Sequence, residues 1–224
     1  MPREIPVTDG FPPSERTRVR RLPDRGLYER AEIYPIIDAA LTCTVAYVID
    51  GAPYATPTAH WRDGDRIYWH GSAASRFLRS VVGGEVCISV HLADGIVLAR
   101  SGFDSSMNYR SATLFGVCEE ITGDEKVQQL DAFVEKLAPG RSKELRRSHD
   151  QELKATTMLG MDIREASAKV RDGGIGDHPD DAQERVWAGV VAIETRLTEL
   201  NPDSDTPVLV DPSPELRALI GKKL

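Results

Sequence analysis

Three Asp-Gly pairs divide the first half of the sequence into short segments with the composition of β-strands. Stretches rich in β-branched or aromatic residues flank Asp50-Gly51, Asp63-Gly64 and Asp94-Gly95, and Asp-Gly is a frequent two-residue hairpin turn. On this basis, strands are predicted at residues 41–49, 53–61, 66–70, 86–92 and 96–101. Strands joined by such tight turns pair antiparallel. The succession favours a closed or half-closed barrel, a form that removes exposed edges.

The rest of the chain adds helices and longer strands to this barrel. A long strand is predicted at residues 109–121, where Gly116 indicates a bulge or a close backbone approach. Thr122 and Glu125 form a capping-box pattern before a run of apolar residues at helical spacing. Further strands are predicted at residues 156–163 and 186–197, and helices at 27–41 (one, or two abutting at Pro35) and 215–220. The fold class is therefore predicted to be α+β.

Composition limits the classes of function that the chain can serve. With 224 residues, 41% of them hydrophobic, the chain is long enough for a substantial core. The net charge of −7 argues against a nucleic-acid-binding surface, and no apolar run approaches the ~20 residues that span a membrane. An N-terminus without an apolar signal core predicts a cytoplasmic protein. We expect a flexible arm at residues 1–20, one domain at 21–200 and an extension at 201–224.

The segment 66–82 combines a predicted strand, a turn of small residues and a helix start. His70 ends the strand, Gly71 and Ser72 open the turn, and Ser75 and Arg76 begin the helix. A helix start presents unpaired N–H groups, and with two hydroxyls and a fixed cation it suits a phosphate group. In the alternative interpretation, Ser75 is an ordinary N-cap and Arg76 a solvated residue.

Two further segments carry candidate ligand-binding residues. Asn108, Tyr109, Arg110 and Ser111 lie at a loop-to-strand junction, from which polar side chains can point to a ligand. In the alternative, Arg110 forms an inter-strand ion pair and Tyr109 covers the barrel mouth. Trp187 opens the last predicted strand after a glycine-rich loop, and a tryptophan here serves as a ligand contact or as part of the core or an interface.

The cysteines and histidines give little indication of a metal centre or a hydrolase. The three cysteines are far apart in apolar segments, which predicts reduced core residues. His60, His70 and His91 lie in predicted strands without metal-ligand spacing, so no metal site is predicted. No Gly-x-Ser-x-Gly elbow is present to support a serine hydrolase.

Six segments in order resemble the FMN-binding split-barrel family that includes pyridoxamine 5′-phosphate oxidase, and most closely its branch of flavin-nucleotide-binding and nitroimidazole-resistance proteins. These segments are RGLYERAEIYPIIDAA (25–40), IYWHGSAASR (67–76), DGIVLARS (94–101), SMNYRSATLFG (106–116), SAKVR (167–171) and WAGVVAI (187–193). They span about residues 20–195. The resemblance implies an FMN-binding split β-barrel, antiparallel and Greek-key-like, with a few flanking helices.

The resemblance also implies roles for the candidate residues around the phosphate. Ser75 and Arg76, with Ser72 nearby, would hold the FMN phosphate. His70 and Gly71 would lie along the ribityl chain or the ring edge.

For the isoalloxazine, the resemblance implies contacts from both subunits of a homodimer. Thr58 would face the ring from its own strand, while Arg110 and Ser111 would reach the flavin from the other subunit's side of a shared pocket. Trp187 would approach the ring at the start of the last strand.

The resemblance implies an FMN-dependent oxidoreductase, and we expect it to reduce a small nitro- or quinone-like compound with electrons from a nicotinamide donor. The oxidase's C-terminal substrate signature is absent after Ile193, which argues against oxidation of pyridoxamine phosphate. Two alternatives remain: a barrel that binds deazaflavin or haem, and a flavin-binding protein without turnover. Because the flavin supplies the redox chemistry, no dedicated catalytic acid or base is predicted.

Overall fold

The computed structural model describes residues 9–205 and 210–223. Within these residues one sheet of ten strands carries the fold. The strands are β1 Gly26–Leu27, β2 Thr42–Ile49, β3 Ala52–Ala59, β4 Trp61–Asp63, β5 Arg66–Ser72, β6 Glu85–Leu98, β7 Ser106–Ile121, β8 Thr156–Asp162, β9 Glu165–Arg171 and β10 Gly189–Ala192. The α-helices are α1 Arg30–Ala39, α2 Arg76–Val81, α3 Gly123–Leu137, α4 Asp150–Ala155 and α5 Pro214–Arg217.

Two long strands, β6 and β7, form the central hairpin of the sheet. Strand β6 pairs with β2 near its start and with β10 near its end. Strand β7 pairs first with β9 and then with β8, and the remaining order is β8-β5-β4 on one side and β2-β3 on the other. All of these pairings are antiparallel, which confirms the predicted α+β fold of an antiparallel split barrel.

A row of directly paired residues shows which side of the sheet is the core. Val45, Ile88, Leu114 and Ala166 are partners across β2, β6, β7 and β9, and each is fully buried. Helix α1 contributes its isoleucines to the same cluster. Burial of such a side chain contributes about 1.5–3 kcal/mol. Successive residues of a strand point to opposite faces, so the next row, Thr44–Ser89–Thr113–Ser167, forms a polar outer face.

A smaller aromatic cluster lies between β5 and helix α3. Trp61 stacks on Tyr68 with ring centroids 5.8 Å apart, and Phe133 of α3 packs against Trp61 at 5.0 Å. The indole N–H of Trp61 donates to Gln129 Oε1 at 2.8 Å, which satisfies its only polar atom. This cluster fixes α3 over the outer side of β5.

The prediction of a hairpin turn at Asp94-Gly95 is wrong. Strand β6 runs through this pair, and a register shift between Ala93 and Gly95 absorbs the irregularity as a bulge. The carboxylate of Asp94 accepts two hydrogen bonds from the guanidinium of Arg110 on β7. The pair is therefore held inside the sheet, where a turn would have ended the strand.

Other predicted elements differ from the structure at their ends or in their packing. Helix α1 is a single helix that contains Pro35. Thr122 is the N-cap of α3, but its side chain accepts no capping hydrogen bond. Of the predicted last strand, Gly189–Ala192 pairs with β6 and Arg196 forms an isolated bridge with Lys223. Strand β9 was not predicted as a strand. Residues 1–8 lie outside the described residues.

Within residues 9–20, part of the predicted flexible arm, Phe11 packs against the domain. Phe11 is buried, its N–H donates to Tyr28 O at 2.8 Å, and its ring lies 6.3 Å from that of Tyr34. An aromatic side chain buries enough apolar area to fix a segment of otherwise polar composition.

Gly116 lies on β7 between the residues that pair with β9 and those that pair with β8, and the close approach predicted for it is confirmed. A Cβ atom there would meet Asp162 O at 2.6 Å and Met161 Cγ at 2.7 Å.

The cysteines are free, and burial raises the pKa of Cys43 and Cys118 to about 12. In the described part of the chain, no helix has the length and apolar run needed to cross a bilayer.

Candidate functional site

The turn between β5 and α2 is held by its own hydrogen bonds. Ser75 N–H donates to Ser72 O at 2.9 Å, and Ser72 Oγ accepts from the N–H of Ala74 at 3.2 Å. Ser75 caps α2 by accepting from Leu78 N–H at 3.5 Å. Ser75 is thus the N-cap of α2, as the alternative interpretation of this segment predicts. The turn remains a rigid frame that fixes where helix α2 and Arg76 begin.

Arg76 is an unneutralised cation at the start of α2. Its guanidinium carbon lies 5.9 Å from the ring centroid of Tyr54 on β3. Within residues 9–205 and 210–223, no carboxylate lies at salt-bridge distance from it. Gly71 lies under the same helix, since a Cβ atom there would be 3.1 Å from Leu78 Cδ1. The arrangement offers a cation and hydroxyl groups to an anion.

Thr58 shares a face of β3 with Tyr54, because the two residues are four positions apart on one strand. The ring of Tyr54 stacks on Tyr47 at 5.5 Å, and Tyr47 stacks on Phe77 of α2 at 4.8 Å. Thr58 Oγ1 makes only a long contact of 3.4 Å to Ala59 O. An aromatic ladder thus joins the strand of Thr58 to the helix of Arg76.

His70 projects from the face of β5 opposite to the one that Gly71 presents to α2. Its side chain enters the aromatic cluster under α3. Its ring centroid is 4.7 Å from that of Phe133 and 5.7 Å from that of Trp61. Its Nδ1 atom is buried without a hydrogen-bond partner among the described residues. Burial lowers the pKa of His70, so its imidazole is neutral at pH 7. The side chain is therefore directed away from Gly71 and α2.

The residues at the start of β7 divide between the two faces of the sheet. Arg110 forms the bidentate pair with Asp94, with nitrogen–oxygen distances of 2.7 and 2.9 Å, and these hydrogen bonds raise its pKa. Asn108 is buried on the same face and accepts a hydrogen bond from Arg171. The inter-strand ion pair considered for Arg110 is thus present. Tyr109 and Ser111 project from the opposite face.

Ser111 lines a cavity of about 310 Å³ beneath residues 16–21. We call this cavity the arginine pocket; it is lined by Arg16–Arg21, Ser111, Thr113 and Ser167–Lys169. Sequence analysis did not identify it as a site. The signal available there was the run of arginines at 16–21, but the strand that forms its floor, β9, was not predicted.

Trp187 is not a core residue, because 64% of its surface is exposed to solvent. Its ring lies against Gly189, where a Cβ atom would be 3.0 Å from it. The preceding loop contains a 3-10 helix at Pro179–Gln183 and is tied to the barrel by Asp177, which accepts hydrogen bonds from the N–H and guanidinium of Arg100.

Within one chain the candidate residues form separate groups. The first group lies at β3, β5 and α2; the second at the start of β7; Ser111 and Trp187 lie apart from both. No hydrogen bond or ion pair between described residues joins Arg76 to Arg110, Ser111 or Trp187. No contact of these two kinds therefore links the groups within the described part of one chain.

Comparisons with known proteins identify the family. Residues 29–170 match the sequence model of the family described as pyridoxamine 5′-phosphate oxidase. The chain is 36% identical to the flavocytochrome Anf3 from Azotobacter vinelandii, with a TM-score of 0.86 over 93% of this chain and 98% of that one. It is 38% identical to an FAD and haem binding protein from Mycobacterium smegmatis, with a TM-score of 0.84 over 88% of this chain and 98% of that one.

A third solved structure shares the fold at lower similarity. It is described as a 5-nitroimidazole antibiotic resistance protein from Bacteroides thetaiotaomicron, 23% identical, with a TM-score of 0.54 over 65% of this chain and 86% of that one. A search of curated proteins finds no match. The family match covers more than half of the chain, and together with the split barrel it shows that the chain belongs to the pyridoxamine 5′-phosphate oxidase-like family.

Proposed function

We propose that this protein is an oxidoreductase that holds a flavin nucleotide with its phosphate at Arg76. The observation that carries the proposal is a guanidinium with no described carboxylate at salt-bridge distance. It lies at a turn whose serines are fixed by hydrogen bonds, on the face of β5 that meets β3 and α2. Arginine binds phosphate through charge-assisted hydrogen bonds. The aromatic ladder Tyr54–Tyr47–Phe77 offers an apolar wall beside that anion site for a planar ring system.

The flavin is proposed to be FMN, with Thr58, Gly71, Ser72, Ser75 and Arg76 on one side of it. The M. smegmatis relative is described as an FAD binder, so the mass of the released compound decides between the two nucleotides. The test is the visible spectrum of the purified protein followed by mass analysis of what heat releases. A yellow protein that releases FMN is expected, whereas a colourless protein that takes up no added flavin contradicts the proposal.

Haem is proposed as a second redox group, because both relatives above 35% identity are described as a flavocytochrome or as a haem binder. The residue that fits an iron ligand is His70. Burial keeps its imidazole neutral, which is the ligating form, and its buried Nδ1 has no hydrogen-bond partner among the described residues. A Soret band is the expected signature.

The site is proposed to be completed by a second copy of the chain. An exposed apolar row on the end of the central hairpin supports a dimer: Val191, Ile96 and Met107 are direct partners across β10, β6 and β7, and each is more than 40% exposed. Exposed apolar patches of this kind mark interaction surfaces. Association here would bring Trp187, Tyr109 and Ser111 of one copy toward the flavin of the other.

Turnover is proposed to use a nicotinamide donor and a small nitro- or quinone-like acceptor. The chain's residues position the flavin, which supplies the redox chemistry when bound. Anaerobic addition of NADH or NADPH should bleach the flavin band, and a quinone should restore it. A flavin that neither donor reduces would support the non-catalytic flavin-binding alternative.

A further inference from the structure

The arginine pocket concentrates positive charge on a chain whose net charge is −7. Five of its lining residues are basic and none is acidic: Arg16, Arg18, Arg20, Arg21 and Lys169. Such a cavity attracts anions, since a concave surface lined by charges of one sign focuses the electric field.

The floor of the pocket is polar because of the pairing between β7 and β9. Ser111 lies directly opposite Lys169, and Thr113 lies opposite Ser167. Directly opposed residues project to the same face, and the alternate residues Ala112 and Ala168 are buried on the other. Three hydroxyls and one ammonium group therefore form one surface beneath the arginines.

The chain segment that supplies the arginines is fixed to this sheet. Arg16 donates to Glu85 at 2.9 Å and to Glu165, and its guanidinium lies 4.3 Å from the ring centroid of Phe115. The N–H of Val19 donates to the hydroxyl of Tyr28 at 2.8 Å. These contacts hold the segment on both sides of Arg18, so the backbone that carries the exposed arginines is positioned before any ligand arrives.

Most of the pocket's cations have no counter-charge. For Arg18, Arg21 and Lys169, no described carboxylate lies at salt-bridge distance. Arg20 pairs with Glu15, but the two side chains are 67% and 87% exposed, and such pairs contribute little. Cations held near one another repel, and a bound anion would relieve that repulsion.

We propose that the arginine pocket binds the phosphate or pyrophosphate group of a nucleotide, separately from the phosphate at Arg76. Guanidinium groups form paired hydrogen bonds to phosphate oxygens, and the hydroxyls of Thr113 and Ser167 complete the shell. The hydroxyl of Ser111 donates to Lys169 O at 3.2 Å. The two anion sites of one chain are distinct, because Tyr54 shares the core side of the sheet with Tyr47 while Ser111 and Thr113 lie on the outer face. Strands β2, β6 and β7 also intervene between β3 and β9.

Two sources would supply this phosphate chemistry. One is the pyrophosphate of FAD, the alternative to FMN under the proposed function, with the rest of that flavin in the partner copy's site. The other is the nicotinamide dinucleotide donor. The binding of a phosphate group by the pocket itself does not depend on either identification.

The test is isothermal titration of the purified protein with ADP, inorganic pyrophosphate and adenosine. The variant is the double substitution Arg18→Ala with Arg21→Ala, and its matched control is Arg147→Ala with Arg164→Ala, two exposed arginines outside the pocket. Both variants change the net charge equally. ADP and pyrophosphate should bind while adenosine should not, and affinity should fall at least tenfold in the pocket variant only. Added salt should weaken this binding.

Two further readouts on the same variants distinguish the sources. If the pocket holds a flavin pyrophosphate, ADP will compete with the resident flavin, and the pocket variant will be purified with less flavin than the control. If it holds the donor, flavin content will be unchanged and the Kd for NADPH will rise at least tenfold. A pocket variant equal to the control in ADP affinity, flavin content and NADPH affinity would overturn the inference. An Arg76→Ala variant that loses flavin yet binds ADP normally would show the two sites to be independent.

Discussion

The guanidinium of Arg76 lies over the ring of Tyr54, 5.9 Å from its centroid, and this contact joins the start of helix α2 to strand β3. Cation–π contact orients the guanidinium without neutralising it. The charge therefore remains available to an anion at the end of a turn that Ser72 and Ser75 fix.

Replacing Arg76 by alanine should weaken flavin binding by about 1.5–3 kcal/mol, roughly 10- to 150-fold, because a charge-assisted hydrogen bond to phosphate is lost. The measurement is fluorescence titration of the apoprotein with FMN. Arg79→Ala is the matched control, since Arg79 is exposed in the last turn of the same helix. Equal affinity in both variants would remove Arg76 from the flavin site.

How far the sequence predicts this site depends on how local each feature is. The turn and cap at residues 72–78 follow from neighbouring residues, so they were predictable from the chain's order. The direction of His70 was not, because it depends on α3, a helix that begins more than fifty residues later and covers one face of β5. Asp94-Gly95 has turn chemistry, but its pairing with Arg110 keeps the strand continuous. The arginine pocket requires β9, whose small and charged residues lack a strand-like apolar pattern.

Replacing His70 by alanine should abolish the Soret band that we expect of the purified protein while leaving the flavin content unchanged. The reason is that the imidazole lies on the face of β5 opposite Gly71 and α2. The control is His91→Ala, which removes an exposed imidazole of β6. A Soret band that persists in the His70 variant would exclude this residue as the iron ligand.

Introducing aspartate at Met107 should convert the proposed dimer to a monomer, because a charge within the Val191–Ile96–Met107 row opposes its burial. Light scattering coupled to size exclusion measures the mass directly. Phe103→Asp is the control, since Phe103 is 96% exposed in the loop between β6 and β7 and lies outside the row. A wild-type chain that is already monomeric would contradict the dimer proposal.

The stability of the fold should decrease between about pH 6.5 and about pH 4 because of His60. This imidazole is fully buried, its Nε2 lies 2.9 Å from Ile37 O, and burial lowers its pKa to about 4. In the unfolded chain the pKa of His60 is near 6.5, so between these two pH values its imidazole is protonated in the unfolded state and neutral in the folded state. Acid therefore favours unfolding. The loss relative to pH 7 is about 2 kcal/mol at pH 5. Urea unfolding at the two pH values measures it, and a His60→Gln variant should lose this part of the pH dependence.

Substituting alanine for Gly116 should destabilise the barrel by about 1–3 kcal/mol, the usual cost of overpacking. The new Cβ atom would lie 2.6 Å from the carbonyl oxygen of Asp162 and 2.7 Å from Met161 Cγ. Strands β7 and β8 must therefore move apart at this position. Gly102→Ala is the control, because nothing lies within 4 Å of a Cβ atom at that position. Urea midpoints of the two variants should differ, with only the Gly116 variant shifted downward. Glu119 and Ile121 pair with β8 just after this position. A Gly116 variant as stable as wild type would therefore show that the β7–β8 ladder shifts to admit the Cβ atom with no loss of stability.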